Sequence, residues 1–271
     1  MSTSGRTSYN RSFLGYINAR FPWLKLVVLI LIGIAAILDL LDYTVPRAGE
    51  TQVKISIAPM SKHVRAVERS LDGKKLVALT FDDGPLATTT PLLLDILESR
   101  NVPVTFFMLG SMIRSNPEIA KRAAREGHEV ASHTMYHQNL IYLSDDATQA
   151  DINEAKSVFE EILGKIPSLT RPPYGNYDDN VSRTVNTPMV LWSVDTRDWE
   201  SRNPDSIVST ALSQAFDGAI ILMHDIYETS VAAVPRLIDE MRGSGYEFVT
   251  VSELAREHGA TLENGVAYRG L

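Results

Sequence analysis

The amino-acid sequence predicts an α/β fold with about seven parallel strands. Two observations carry this expectation. Short apolar runs of strand length alternate with longer segments of helical periodicity, which is the pattern of parallel βαβ units. Reactive polar side chains follow those apolar runs directly, where α/β folds place their sites. About seven repeats of strand plus helix fit a barrel better than an open sheet of five or six strands.

Taken in order, KLVALTF from Lys75 reads as the first strand. Leu92, Leu93, Ile96 and Leu97 in PLLLDILESR have helical spacing. VPVTFFMLG is a strand that exits at Gly110, and NPEIAKRAAREG is a helix opened by Pro117 and stopped by Gly127. HEVASHT is the next strand, followed by a long helix over 145–163. SLTRPPYG and MVLWSVD read as strands on either side of a short helix at 179–185. Residues 204–216 are helical, GAIILMH is a strand, 231–243 is a helix and EFVTV is the last strand.

Composition is that of a globular protein, 44% apolar and 22% charged. A formal net charge of −7 argues against a nucleic-acid binder, which presents a basic face. The chain holds no cysteine, so disulfides and cysteine-ligated metals are excluded. Near the amino end, LVVLILIGIAAIL from Leu26 has no polar side chain. Its flanks extend it to roughly the 20 residues that cross a bilayer. Arg6, Arg11, Arg20 and Lys25 precede it with no acid among them, and Asp39 and Asp42 follow. That asymmetry predicts a cytoplasmic segment 1–22, a transmembrane anchor 23–42 and the remainder outside the cell membrane. A cleaved signal peptide is the rival, but no clear small-residue cleavage pattern is present. Residues 43–74 read as a linker or extension, 75–258 as the folded domain and 259–271 as a tail.

Five strand exits deliver reactive side chains to one face. Asp82 and Asp83 follow the first strand, His133 and His137 the third, and Arg171 and Tyr174 the fourth. Asp195, Asp198 and Trp199 follow VLWSV, and His224 follows AIILM. Two imidazoles at i and i+4, with a carboxylate such as Asp83, make a zinc-type site with an open position for water. One of the paired aspartates could bind the ion and the other take a proton from water that the ion acidifies. DDGP alone also suits a type I turn. His224 suits a general acid, with Asp198 as the carboxylate that orients it. Arg171 could hold a carboxylate ionised, and the Tyr174 N–H could face a developing oxyanion. Trp199 could line a groove, whereas Trp192 is read as core.

These residues fall in five motifs: TFDDGP at 80–85, HTMYH at 133–137, RPPYG at 171–175, DTRDW at 195–199 and ILMH at 221–224. Together and in this order they resemble the polysaccharide deacetylase family, also called the NodB-homology domain or carbohydrate esterase family four. The resemblance covers about residues 75–258 and implies a distorted (β/α) barrel. It implies Asp82 as the catalytic base and His224 as the acid, with Arg171 and Asp198 tuning them. Asp83, His133 and His137 match the metal ligands, usually for zinc and sometimes for cobalt or nickel. Tyr174 matches the main-chain oxyanion donor, and Tyr174, Trp199 and Pro173 the contacts of a substrate groove. Ile221 stands where leucine is more usual.

The implied reaction is hydrolysis of the N-acetyl group of N-acetylglucosamine in a polysaccharide. An anchor facing outward makes peptidoglycan the natural target. Chitin oligosaccharides, N-acetylmuramic acid and O-acetylated xylan are the alternatives within the family. An inactive glycan-binding module is the alternative of another class, and the completeness of the motifs speaks against it.

Overall fold

The computed structural model describes residues 71–271. The expected segment 1–22, the anchor 23–42 and nearly all of the linker 43–74 lie outside the described residues. Among the described residues, no helix is long and apolar enough to cross a membrane.

The fold is a parallel-strand α/β architecture. Its centre is β1 (Lys75–Asp82), buried at every residue but the first. A strand covered on both faces reads as a near-continuous apolar run, as KLVALTF does. It pairs in parallel with β6 (Ala219–His224) over Val77–Asp82. On its other edge, β7 (Tyr246–Val249) takes the first half and β2 (Thr105–Met108) the second. Beyond β2 lies β3 (Glu129–Ser132). Thr170 bridges Ser132 to Met189, the first residue of β4 (Met189–Val190). The same stretch of chain continues into β5 (Val194–Asp195), which pairs back onto β6.

Alternation along the strands decides which side chains reach the inner face. On β1, Val77, Leu79 and Phe81 point outward into the larger core, among helix residues such as Leu93, Leu97 and Leu237. Leu76 and Ala78 point inward to a smaller core with Phe107, Val190 and Ile220. The same period carries Thr80 and Asp82 inward. On β6, Ile221 and Met223 go outward and Ile220 inward, so His224 also emerges on the inner face.

Three expectations are corrected. SLTRPPYG is not a strand: pairing is confined to a bridge at Thr170. Pro172 and Pro173 have no N–H and cannot continue a ladder, so the chain enters a 3₁₀ turn at Pro173–Gly175. MVLWSVD breaks into β4 and β5. The carbonyls of Val190 and Leu191 accept hydrogen bonds from Arg171 Nε (2.9 Å) and Nη2 (2.8 Å) at that break. Residues 259–271 are not a detached tail. β8 (Ala267–Tyr268) pairs in parallel with β4, and Leu271 N–H donates to the Gly218 carbonyl at 3.0 Å. Two short helices, Gly110–Ser115 and Val251–Glu257, were also not anticipated.

Candidate active site

The carboxyl ends of the strands open onto a cavity of about 410 Å³. That is the size of an ordinary small-ligand site. Eight of the side chains expected at strand exits line it: Asp82, Asp83, His133, His137, Tyr174, Asp195, Trp199 and His224. Arg171 and Asp198 stand behind the wall, fully buried. Trp192, read from sequence as core, lines the cavity instead. Pro173 is the exception among the expected contacts. It is buried at the start of the 3₁₀ turn and does not line the cavity.

Asp83 would face away from Asp82 if β1 ran on regularly. Its left-handed backbone (φ 76°) turns its carboxylate back to the same side. Asp83 Oδ1 then lies 3.5 Å from both His133 Nε2 and His137 Nε2. Ligands about 2.0–2.1 Å from one tetrahedral ion stand roughly 3.4 Å apart, so this spacing fits a shared cation. Asp83 Oδ1 is buried without a hydrogen-bond partner, which is costly unless an ion or water meets it. His133 Nδ1 lies 2.7 Å from the Arg171 carbonyl. A carbonyl only accepts, so Nδ1 carries the proton and the Nε2 lone pair is free for a metal. Burial pushes the His133 pKa down to about 3, which keeps the ring neutral as a ligand must be. These three residues form the candidate metal site.

Asp82 sits beside that site, its Oδ2 3.7 Å from His133 Nε2. Its Oδ1 accepts from Arg171 Nη1 at 2.6 Å. Burial raises the Asp82 pKa, and the charge of Arg171 opposes the rise. Four of the five guanidinium N–H groups are committed: Nη1 also donates to Thr80 Oγ1, while Nε and Nη2 bond the two carbonyls of the strand break. Its Cζ lies 4.0 Å from the Phe107 ring centre.

On the other side of the cavity, His224 Nδ1 donates to Asp198 Oδ1 at 2.9 Å. That bond leaves Nε2 toward the cavity. Asp198 is held by three further donors: His224 N–H, Trp199 N–H and the Ser230 hydroxyl. Burial disfavours charge on His224. The bond and charge of Asp198, with Asp82 and Asp83, outweigh burial and hold its pKa up at about 9.

Left-handed backbone recurs around the cavity. Besides Asp83, it occurs at Thr134 (φ 69°), His137 (φ 56°) and Tyr174 (φ 61°), where L side chains are strained. No backbone acceptor among the described residues takes the Tyr174 N–H, which leaves it available to a ligand. The Tyr174 ring packs edge-on against His137, with 4.7 Å between centroids. Trp199 is exposed at the rim.

Sequence reasoning missed the residues that brace these loops. Asp151 is buried and accepts the Met135 N–H at 2.8 Å, inside HTMYH. Its signal was readable, because Asp151 falls on the buried stripe of its helix with Thr148, Ile152 and Ala155. Asp225 is buried directly behind His224, and burial lifts its pKa to about 7. Ser230, six residues beyond the last motif, gave no signal.

Known proteins resemble this chain in sequence and in fold. The family described as polysaccharide deacetylase matches residues 70–188. The peptidoglycan-N-acetylglucosamine deacetylase PgdA of Listeria monocytogenes is 38% identical over 242 residues, 84% of this chain and 51% of that protein. The chain thus spans about half the length of that relative. A peptidoglycan-N-acetylglucosamine deacetylase of Bacillus cereus is 39% identical over 193 residues, 68% of this chain and 90% of that protein. Among solved structures, a family 4 acetyl xylan esterase from Clostridium thermocellum, in complex with a cobalt ion, superposes with a TM-score of 0.70. It is 29% identical and covers 73% of this chain and 99% of its own. With 39% identity across nine-tenths of the Bacillus cereus protein, the chain belongs to the polysaccharide deacetylase family.

Proposed function

We propose that this protein is a metal-dependent N-deacetylase acting on N-acetylglucosamine in an extracytoplasmic glycan, with peptidoglycan as substrate. The observation that carries the reading is one cavity holding a triad of two imidazoles and a carboxylate, a second, buried carboxylate on Arg171 and a third imidazole hydrogen-bonded to Asp198. Relatives named for peptidoglycan deacetylation support the choice of substrate. The strand pairing back from β5 to β6 supports a distorted barrel, as expected for the family.

Asp83, His133 and His137 would hold the ion, with zinc the proposed metal for a set of two imidazoles and one carboxylate. When bound, the ion would polarise the acetyl carbonyl and acidify a water. Asp82 would act as the base that takes the proton of the attacking water as its oxygen adds to the carbonyl carbon. Arg171 fixes the Asp82 carboxylate and keeps it available as a base. The Tyr174 N–H donates to the oxygen that becomes negative. His224, charged and oriented by Asp198, gives its Nε2 proton to the sugar nitrogen as the C–N bond breaks. Acetate leaves and the sugar retains a free amine. Trp199 at the rim supplies a face for a neighbouring sugar ring.

The protein is further proposed to be held in the cell membrane by residues 23–42, with the domain outside. The basic amino-terminal flank and the acidic residues after the apolar run support this. The activity test uses the 271-residue chain in mild detergent, loaded with zinc. It is given an N-acetylglucosamine oligomer, purified peptidoglycan and acetylated xylan in parallel, and acetate and new amine are quantified together. Equal acetate and amine, highest on peptidoglycan, is the expected result. Acetate without amine, on xylan alone, would make the protein an esterase. No acetate from any substrate would favour a glycan-binding module.

A further inference from the structure

Asp225 takes no part in the proton transfers above, yet its carboxylate occupies a demanding place. It follows His224 at the exit of β6 and is fully buried. Its Oδ2 accepts from Thr90 Oγ1 at 2.5 Å, and its Oδ1 is buried without a hydrogen-bond partner. A hydroxyl has one proton to give. Because Thr90 gives it to Asp225, its lone pairs face the Leu86 N–H, which donates to it at 2.8 Å. Asp225 therefore fixes the chain on the far side of TFDDGP through Thr90 and Leu86.

The near side is fixed by contact. A Cβ added to Gly84 would collide with both carboxylate oxygens of Asp225. Gly84 is not among the residues with positive φ, so space and not torsion demands glycine there. The Gly84 carbonyl accepts the Leu109 N–H at 3.1 Å, which ties the same turn to the end of β2. The turn clamped in this way carries Asp82 and Asp83. A half-satisfied buried carboxyl is expensive and is retained where it does something an apolar side chain cannot. Only an acceptor at this point can set the Thr90 hydroxyl.

We propose that Asp225 is a positioning residue: it seats Gly84 and, through Thr90 and Leu86, holds the Asp82–Asp83 turn against the two histidines. It thereby sets the metal affinity of the Asp83–His133–His137 site. This effect rests on the metal-dependent function proposed above, and the experiment separates the two.

The metal-free 271-residue chain is titrated with zinc against a competing chelator, and the cobalt-loaded protein is examined by visible absorption. Wild type is compared with D225A, D225N, T90V, G84A and the double variant G84A/D225A. Loss of a group that orients a ligand typically weakens metal binding about 10–100-fold. D225A and T90V should each lose at least tenfold in zinc affinity and change the cobalt spectrum. D225N, whose amide oxygen can still accept from Thr90, should restore most of the affinity. G84A should bind zinc poorly, and adding D225A should recover part of the loss because it removes the colliding oxygens. T90V decides the matter if D225A does not unfold cooperatively. Zinc affinity within twofold of wild type in T90V, or G84A left unrelieved in the double variant, would overturn the proposal. A wild-type protein that binds no zinc would instead overturn the metal-dependent function.

Discussion

Asp82 and His224 are register partners on adjacent parallel strands, Asp82 ending β1 and His224 ending β6. Both fall on the inward half of the strand alternation, so the sheet itself places the proposed base and the proposed acid on one wall. Their surroundings then separate their roles. Asp82 is paired with a permanent cation, Arg171, and His224 with an anion, Asp198. The first pairing favours a carboxylate that can receive a proton, and the second an imidazolium that can give one.

Replacing Asp82 with Asn tests the base. The amide oxygen can still accept from Arg171, and the triad of Asp83, His133 and His137 is untouched. Zinc should remain bound at one per chain. Acetate release should fall by about 10²–10⁴-fold, the usual contribution of a positioned base. Metal analysis and acetate release on the same preparation check this, and a fully active variant would sink the assignment.

His133→Ala should behave differently, with metal and activity lost together. The ring supplies Nε2 beside Asp83 Oδ1, and its Nδ1 proton ties it to the Arg171 carbonyl. Equilibrium dialysis against zinc reads the loss directly. Stoichiometric zinc retained in this variant would remove His133 from the ligand set.

Much of this site was legible because the motifs sit where strand alternation ends, and apolar runs such as KLVALTF and AIILM announce their strands. Asp82, Asp83, His133, His137 and His224 could be placed at strand exits on that basis. What stayed hidden depended on contacts across the fold. The break in MVLWSVD coincides with carbonyl bonds to Arg171, a residue 19 and 20 positions away in sequence. Pro173 belongs to a motif but turns inward, because a proline opening a 3₁₀ turn packs rather than projects. Trp192 resembles core by type, and only the broken strand lets it reach the cavity. The closing helix Val251–Glu257 was a local signal passed over: Thr250 and Glu253 form a capping box.

Arg171→Met should unfold the protein at lower urea. The guanidinium is fully buried and satisfies Asp82, Thr80 and two backbone carbonyls. Removing one partner of a buried ion pair leaves an uncompensated charge, at a cost of roughly 3–5 kcal/mol. Lysine should rescue little, because one ammonium cannot reproduce the planar fork. In any Arg171→Lys protein that folds, a less well placed cation leaves burial freer to raise the Asp82 pKa. The acid limb of activity should then move to higher pH. Urea midpoints and a pH profile of acetate release check the two halves separately.

His224 gives the sharpest pH prediction. In the metal-free protein its pKa is held up at about 9, above the ordinary histidine value. Burial acts against charge, so the elevation depends on Asp198, which bonds Nδ1 at 2.9 Å. Because the folded value exceeds the unfolded one, the ring's charge contributes stability that is complete below about pH 6.5. That contribution is lost as pH rises through about 9. Asp198→Asn removes the anion while keeping a side chain of the same shape. Burial should then dominate and drive the His224 pKa below about 6.5. Two consequences are measurable: the ring titration moves down by NMR, and the alkaline loss of stability between pH 7 and 9 disappears. Acetate release at neutral pH should also fall, because His224 would no longer carry the proton that the leaving nitrogen needs. An unchanged His224 titration in Asp198→Asn would show that Asp82 and Asp83, and not Asp198, supply the field that keeps this acid charged.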